Sequence, residues 1–261
     1  MRLVAAESAA TLARRETEEF LKLYRRASID LHTQTTRGAI ADLFSDRADV
    51  VLIPRELSPE EDSLARAYRV KLRGFRIGVE ALALVVNPSN PVRQIALDQL
   101  REIYTGRLAS WSGLGGREAP IRLLWREPNS AAYELVVEKV LAGQKAVAPD
   151  AWIYSDSEMV ERVGRDPDAL GFVPAAALTA KVKALGVSEA RGLPYFAPDP
   201  GAVYDQTYPL RHYDVLIYRD TAPKVVGGFA TYALSNEGQR VVRDAGVIPT
   251  AVPIRIRRTQ N

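Results

Sequence analysis

Apolar positions along the chain follow two spacings in alternation. Compact apolar runs occupy residues 3–6, 29–31, 49–53, 81–86, 121–125, 171–173 and 214–218. Their length and β-branched content predict buried strands. Between them the period lengthens to that of a helix. Leu12, Phe20, Leu21 and Leu23 follow Ser8; Ile40, Leu43 and Phe44 follow Thr36; Leu97, Leu100 and Ile103 follow the rigid turn Asn87-Pro88-Ser89-Asn90-Pro91. Further helices are predicted over 130–141, 157–163, 225–233 and 237–245. Strands apolar throughout must be covered on both faces, and the intervening helices supply that cover. The pattern therefore predicts an α/β fold on mostly parallel sheets. Residues 183–209, with several Gly and Pro, are the least regular stretch. No internal repeat and no Gly/Ser linker occurs, so two lobes would be joined by ordered strands.

Composition narrows the chemistry. The chain has 261 residues, 47% hydrophobic and 26% charged, as in an ordinary globular protein. It has no Cys and two His, which excludes disulfides, thiolate metal sites and a Cys nucleophile. No metal and no cofactor are expected. Thirty-five Lys and Arg against 32 Asp and Glu leave +3, mixed along the chain, so no nucleic-acid partner is implied. No run approaches the ~20 apolar residues of a membrane span. The N-terminus lacks the apolar stretch of a secretory leader. Either the protein is cytoplasmic, or the sequence starts after a removed leader. Residues 254–261 alternate Ile and Arg and are expected as a solvated edge strand or tail.

Three places combine a strand, a polar turn with a hydroxyl and then a helix: Ser8, Thr35–Thr36 and Ser130. A helix start carries unpaired N–H groups and partial positive charge. A hydroxyl there can cap the helix or bind an oxyanion, and several such starts make an anion site without a metal. Arg126, just before the third helix, can add a bidentate fork. Against this, no G-x-S-x-G elbow, phosphate-binding G-x-x-x-x-G-K-[ST] loop or H-E-x-x-H motif occurs, and no enzyme is expected. Glu18–Glu19 and Glu60–Glu61 read as solvated faces. Gly227-Gly228 reads as a close helix contact or turn. Tyr204, Tyr208, Tyr213 and Tyr218 read as core and hinge packing.

These residues resemble those of the phosphate-binding proteins of bacterial ABC phosphate transporters, in the type II periplasmic binding protein superfamily. The likeness is sharpest over residues 85–125, with Asn87-Pro88, Asn90-Pro91, Leu100, Gly106 and Trp111. Asp166-Pro167 through Gly171-Phe172-Val173, Tyr208-Pro209-Leu210 and residues 234–250 extend it. The resemblance implies a two-lobed fold, each lobe a mostly parallel sheet flanked by helices, with an anion in the cleft between and hinge closure upon it. Lobe I would be residues 1–78 plus 213–261, lobe II residues 79–212. It further implies a monomeric, extracytoplasmic solute-binding protein with a small oxyanion as ligand and a membrane permease as partner. Ser8, Thr35, Thr36, Arg126, Asn129 and Ser130 stand at the family's binding positions. Arg55 stands where an acidic acceptor for the ligand's proton is expected, which favours a more fully charged ligand. Ala132 replaces a Thr, and one lost hydroxyl contact weakens binding by ~1.5–3 kcal/mol. The alternative is a binding-protein-like domain with a degenerate site, acting as a sensory or protein-interaction module.

Overall fold

The computed structural model describes residues 1–128 and 130–250. Its strands are β1 Arg2–Ala6, β2 Asp30–Gln34, β3 Val50–Ile53, β4 Leu72–Val86, β5 Gln94–Ala96, β6 Arg122–Arg126, β7 Ala151–Ile153, β8 Ala169–Pro174, β9 Lys183–Ala184, β10 Gly186–Ser188, β11 Arg211–Arg219 and β12 Ile248–Pro249. Its α-helices are α1 Ala10–Leu23, α2 Thr36–Phe44, α3 Pro59–Ala67, α4 Leu97–Tyr104, α5 Ala131–Val136, α6 Asp156–Arg165, α7 Pro200–Tyr204, α8 Lys224–Ala233 and α9 Asn236–Asp244. The chain divides into two compact units. The first is Met1–Val79 with the chain from Tyr213 onward; the second is Glu80–His212. Each passage between units falls inside a strand, β4 or β11.

In the first unit the strand order is β2-β1-β3-β11-β4. β1 runs parallel to both β2 and β3, and β11 is antiparallel to β3. Successive side chains point to opposite faces of a sheet. Leu3, Ala5, Val50, Leu52 and Leu216 accordingly pack with Leu12, Phe20, Phe229 and Val242 from α1, α8 and α9. Val4, Ala6, Val51, Ile53, Val215 and Ile217 pack with Ala39, Ile40 and Leu43 from α2. That two-sided burial is why these strands read as unbroken apolar runs. The edge strand β2 is mostly exposed and polar. It lies over residues 30–34 instead of the apolar 29–31, because β1 sets its register.

In the second unit β8, β6 and β7 run parallel, and β4 pairs antiparallel with β8. One face holds Leu124, Ile153, Met159, Val160, Val163 and Val173. The other carries an aromatic group: Trp125 lies 4.7 Å from Tyr104, 5.4 Å from Tyr133 and 6.2 Å from Phe172. The expected helix over 130–141 starts as α5 and ends in a π-helical turn, Val137–Leu141. β7 and α3 were not anticipated from the pattern. Tyr208 is fully buried, its hydroxyl donating to the Leu82 carbonyl at 2.8 Å. Tyr204 is half-exposed, contrary to the packing expectation. Gly227 and Gly228 do not mark a close contact: an added Cβ at either would meet nothing within 4 Å. Residues 254–261 lie outside the described residues. No helix among those described is long and apolar enough to cross a membrane.

Candidate functional site

In the first unit three parallel strands end nearly level, with Ala6 opposite Gln34 and Ala5 opposite Leu52. The segments holding Ser8, Thr35–Thr36 and Arg55 all leave the sheet at this carboxyl edge, the usual place for ligands in α/β folds. Ser8 does not precede its helix. It lies within a 3-10 turn, Glu7–Ala9, and makes no cap; Ala6 holds the capping position. Its hydroxyl is on an exposed residue. Thr35 does cap α2, its Oγ1 accepting the Gly38 N–H at 3.1 Å. Thr36, the first helical residue, is buried. The first turn of α2 has no acidic side chain, so its own sequence leaves the helix's positive end uncompensated.

Arg55 is turned onto the protein itself. Its Nη1 and Nη2 donate to Glu61 Oε2 and Oε1 at 2.7 and 2.9 Å, and Nη1 also reaches the Glu56 carbonyl at 2.9 Å. Glu61 in turn closes the capping box of α3: its Oε2 accepts the Ser58 N–H at 2.8 Å, and Ser58 Oγ accepts the Glu61 N–H at 3.2 Å. Burial pushes the Glu61 carboxyl up, but Arg55, the Ser58 N–H and Arg37 together outweigh it and hold the carboxyl low. Glu61 is therefore no solvated face; its neighbour Glu60 is exposed.

In the second unit Arg126 ends β6, opposite Ile153 at the end of β7. Its side chain is only 12% exposed. Nε and Nη2 donate to Glu127 Oε2 and Oε1 at 3.1 and 3.2 Å, Nη1 donates to Asp156 Oδ1, and Nη2 reaches the Tyr154 carbonyl at 3.5 Å. The fork expected to face a ligand thus already holds two carboxylates. Ser130 caps α5: Oγ accepts the Tyr133 N–H at 3.2 Å and donates to the Glu127 carbonyl at 2.8 Å. Asn129 lies outside the described residues.

Asp156 opens α6 behind the Ser155 cap. Burial pushes its carboxyl up, Arg126 pulls it down and Glu127 raises it again, for a net rise. Glu80, on β4, has its carboxyl raised to about 7 by burial and then by the charge of Asp156. His212 Nε2 lies 3.8 Å from Glu80 Oε2. Burial pushes that imidazole down to about 4, so it is neutral at pH 7. Sequence reasoning missed Glu61, Glu80, Glu127, Asp156 and His212. Usable signals existed for four: the Ser155-x-x-Glu158 capping pattern ahead of the 157–163 helix, the Ser58-x-x-Glu61 pattern, Glu127 adjoining Arg126, and Glu80 as the lone charge in the apolar run 77–86.

A cavity of about 880 Å³ lies toward the amino ends of the second unit's strands, lined by Arg122, Asp150, Arg162, Arg165 and Asp166 among others. Its arginines are matched by carboxylates: Arg122 by Asp166, Arg162 by Glu158, Arg165 by Glu161. It therefore offers no excess positive charge. Among the described residues no His, Asp and Glu cluster could hold a metal ion.

A family profile described as "PBP superfamily domain" matches residues 2–237. The phosphate-binding protein PstS of Bacillus subtilis is 30% identical over 178 residues, 67% of this chain and 56% of that protein. PstS of Pseudomonas aeruginosa is 22% identical over 94% of this chain and 81% of its own length. Among solved structures, an ABC-type phosphate transport receptor from Vibrio cholerae superposes with a TM-score of 0.83 at 22% identity, covering 95% of this chain and 99% of that one. Two α/β units with candidate residues at the carboxyl edges of their parallel strands agree with that likeness, and with a profile match over nearly its whole length the chain belongs to the PBP superfamily.

Proposed function

We propose that this protein is a non-enzymatic solute-binding protein that captures phosphate or a related small oxyanion and delivers it to the membrane permease of an ABC-type transporter. The reading includes an extracytoplasmic location, since one solved structure that it resembles over nearly its whole length is named an ABC-type phosphate transport receptor. One observation carries it: the chain matches proteins named for phosphate binding, and its hydroxyl- and arginine-bearing turns leave the carboxyl edges of parallel strands. At such edges backbone N–H groups of helix starts can neutralise an anion's charge. Thr35, Thr36 and Ser8 would serve from the first unit, Arg126, Asn129 and Ser130 from the second. Arg55 contributes positive charge through a guanidinium already held by Glu61. A sensory or protein-interaction role is not favoured, because the relatives above carry ligand-binding names over most of this chain.

Calorimetric titration with phosphate, sulfate, molybdate and small carboxylates tests this. Phosphate is expected to bind; no heat from any of these at millimolar concentration overturns the reading. Arg126→Met is expected to weaken binding at least tenfold, as loss of a charge-assisted contact costs about 1.5–3 kcal/mol.

A further inference from the structure

We propose that Asp156 is a positioning residue that competes with the bound anion for Arg126, so that capture of the anion is coupled to uptake of a proton by the Asp156–Glu80 carboxyl pair. The inference rests on the function proposed above. It starts from a count of donors. A guanidinium has five N–H bonds. Among the described residues, Glu127 takes one from Nε and one from Nη2, the Tyr154 carbonyl lies at the other Nη2 position, and Asp156 takes one from Nη1. One donor remains. A bidentate hold on an anion requires a carboxylate to let go. Glu127 is the next residue in the chain and grips the Nε–Nη2 edge with both oxygens. Asp156 grips Nη1 with one oxygen, from another element, and is the partner that can yield.

Charge makes the same point. With Glu127 and Asp156 ionised, one arginine already holds two carboxylates, and an arriving anion adds to the excess of negative charge. Other charged groups nearby do not offset it. His212 is neutral, with Nδ1 lacking a hydrogen-bond partner among the described residues. Arg211 points its Nη1 at the Tyr208 carbonyl, 2.7 Å away. Glu158, in the first turn of α6, accepts the Tyr154 N–H at 3.3 Å and pairs with Arg162. A proton is the remaining means of lowering the negative charge. Burial already holds both carboxyls high; the charge of Glu127 adds to it at Asp156, and that of Asp156 adds to it at Glu80, which stands near 7. The Arg55–Glu61 pair is the internal contrast: its carboxyl is held low, so it stays locked at neutral pH.

The experiment is calorimetry of the whole chain with sulfate and with inorganic phosphate from pH 6 to 8.5, in buffers of differing ionisation enthalpy. Sulfate does not titrate in this range, so any proton taken up belongs to the protein. The expected result is uptake approaching one proton per anion, with sulfate affinity falling by up to about tenfold per pH unit. Glu80→Gln and Asp156→Asn, checked for folding by circular dichroism, should flatten that slope, and D156N should bind more tightly than wild type at pH 8. If phosphate alone binds, the difference between wild type and these variants isolates the protein's proton, since phosphate's own titration is common to both. Binding without proton uptake, or an unchanged slope in both variants, overturns this inference alone. Absence of binding by both anions at every pH overturns this inference, and the proposed function falls with it when molybdate and small carboxylates give no heat either.

Discussion

Glu16 is wholly buried on α1, and both carboxylate oxygens lack a hydrogen-bond partner among the described residues. Burial pushes its carboxyl up to about 9. A raised acid binds its proton more tightly in the folded state. Its favourable contribution is therefore complete below the ordinary carboxylate range and drains away as pH rises toward 9. Glu16→Leu is expected to gain about 1–3 kcal/mol at pH 8, the cost of an unsatisfied buried polar group. In urea titrations the wild-type midpoint should fall more steeply between pH 5 and 9 than that of the variant, which keeps only the slope due to Glu80 and Asp156; equal slopes would contradict the assignment. At Arg55 and Glu61 the sign reverses. Glu61→Ala removes an α3 cap partner and leaves a largely buried guanidinium without its carboxylate, so a loss of about 1–2 kcal/mol is expected at pH 7. None of this was legible from single residues. Burial and pairing depend on neighbours far away in the chain, and nothing local to Glu16 separates it from the exposed Glu18 on the same helix.

At the scale of elements, the apolar runs located β1, β3, β8 and β11, and helical spacing located α2, α4, α8 and α9. α3 escaped because it buries only Ala65 and so has almost no apolar stripe. Its capping box, Ser58 with Glu61, was the available signal. Glycines were misread in an instructive way. A Cβ on either of the conspicuous pair at 227 and 228 would meet nothing within 4 Å, whereas a Cβ on Gly171 in β8 would sit 2.4 Å from Met159 Sδ and 2.9 Å from Val163 Cγ2 of α6. Gly171→Ala is expected to cost about 1–3 kcal/mol through overpacking. Gly228→Ala, inside α8, should gain up to about 1 kcal/mol through helix propensity. Thermal denaturation of the two variants checks both; destabilisation by G228A would show a contact the structure lacks.

Across the whole molecule, β4 pairs with β12 through Gly78 and Val79 in the first unit and with β8 through Leu82–Val86 in the second. Loss of either unit strips hydrogen bonds from a strand the other needs, so unfolding should be a single transition. The three tryptophans, Trp111, Trp125 and Trp152, all belong to the second unit, whereas helices occur in both. Tryptophan fluorescence and far-ultraviolet circular dichroism are therefore expected to give coincident urea curves; separated midpoints would show that the units unfold independently. Phosphate at a hundred times its dissociation constant should raise the unfolding free energy by about 2.7 kcal/mol and shift both curves together. By itself the sequence determined the α/β class and the helix starts capped by Thr35 and Ser130, because these follow from local spacing and from which side chains suit a helix start. It also excluded thiolate chemistry outright, by lacking the residue. Only the tertiary structure decided which of those groups are still available. Arg55 is paired with Glu61, Arg126 is shared between Glu127 and Asp156, and burial lifts the Glu80 carboxyl to about 7. A charge's partner and its loss of water are set by residues that meet only when the chain is folded.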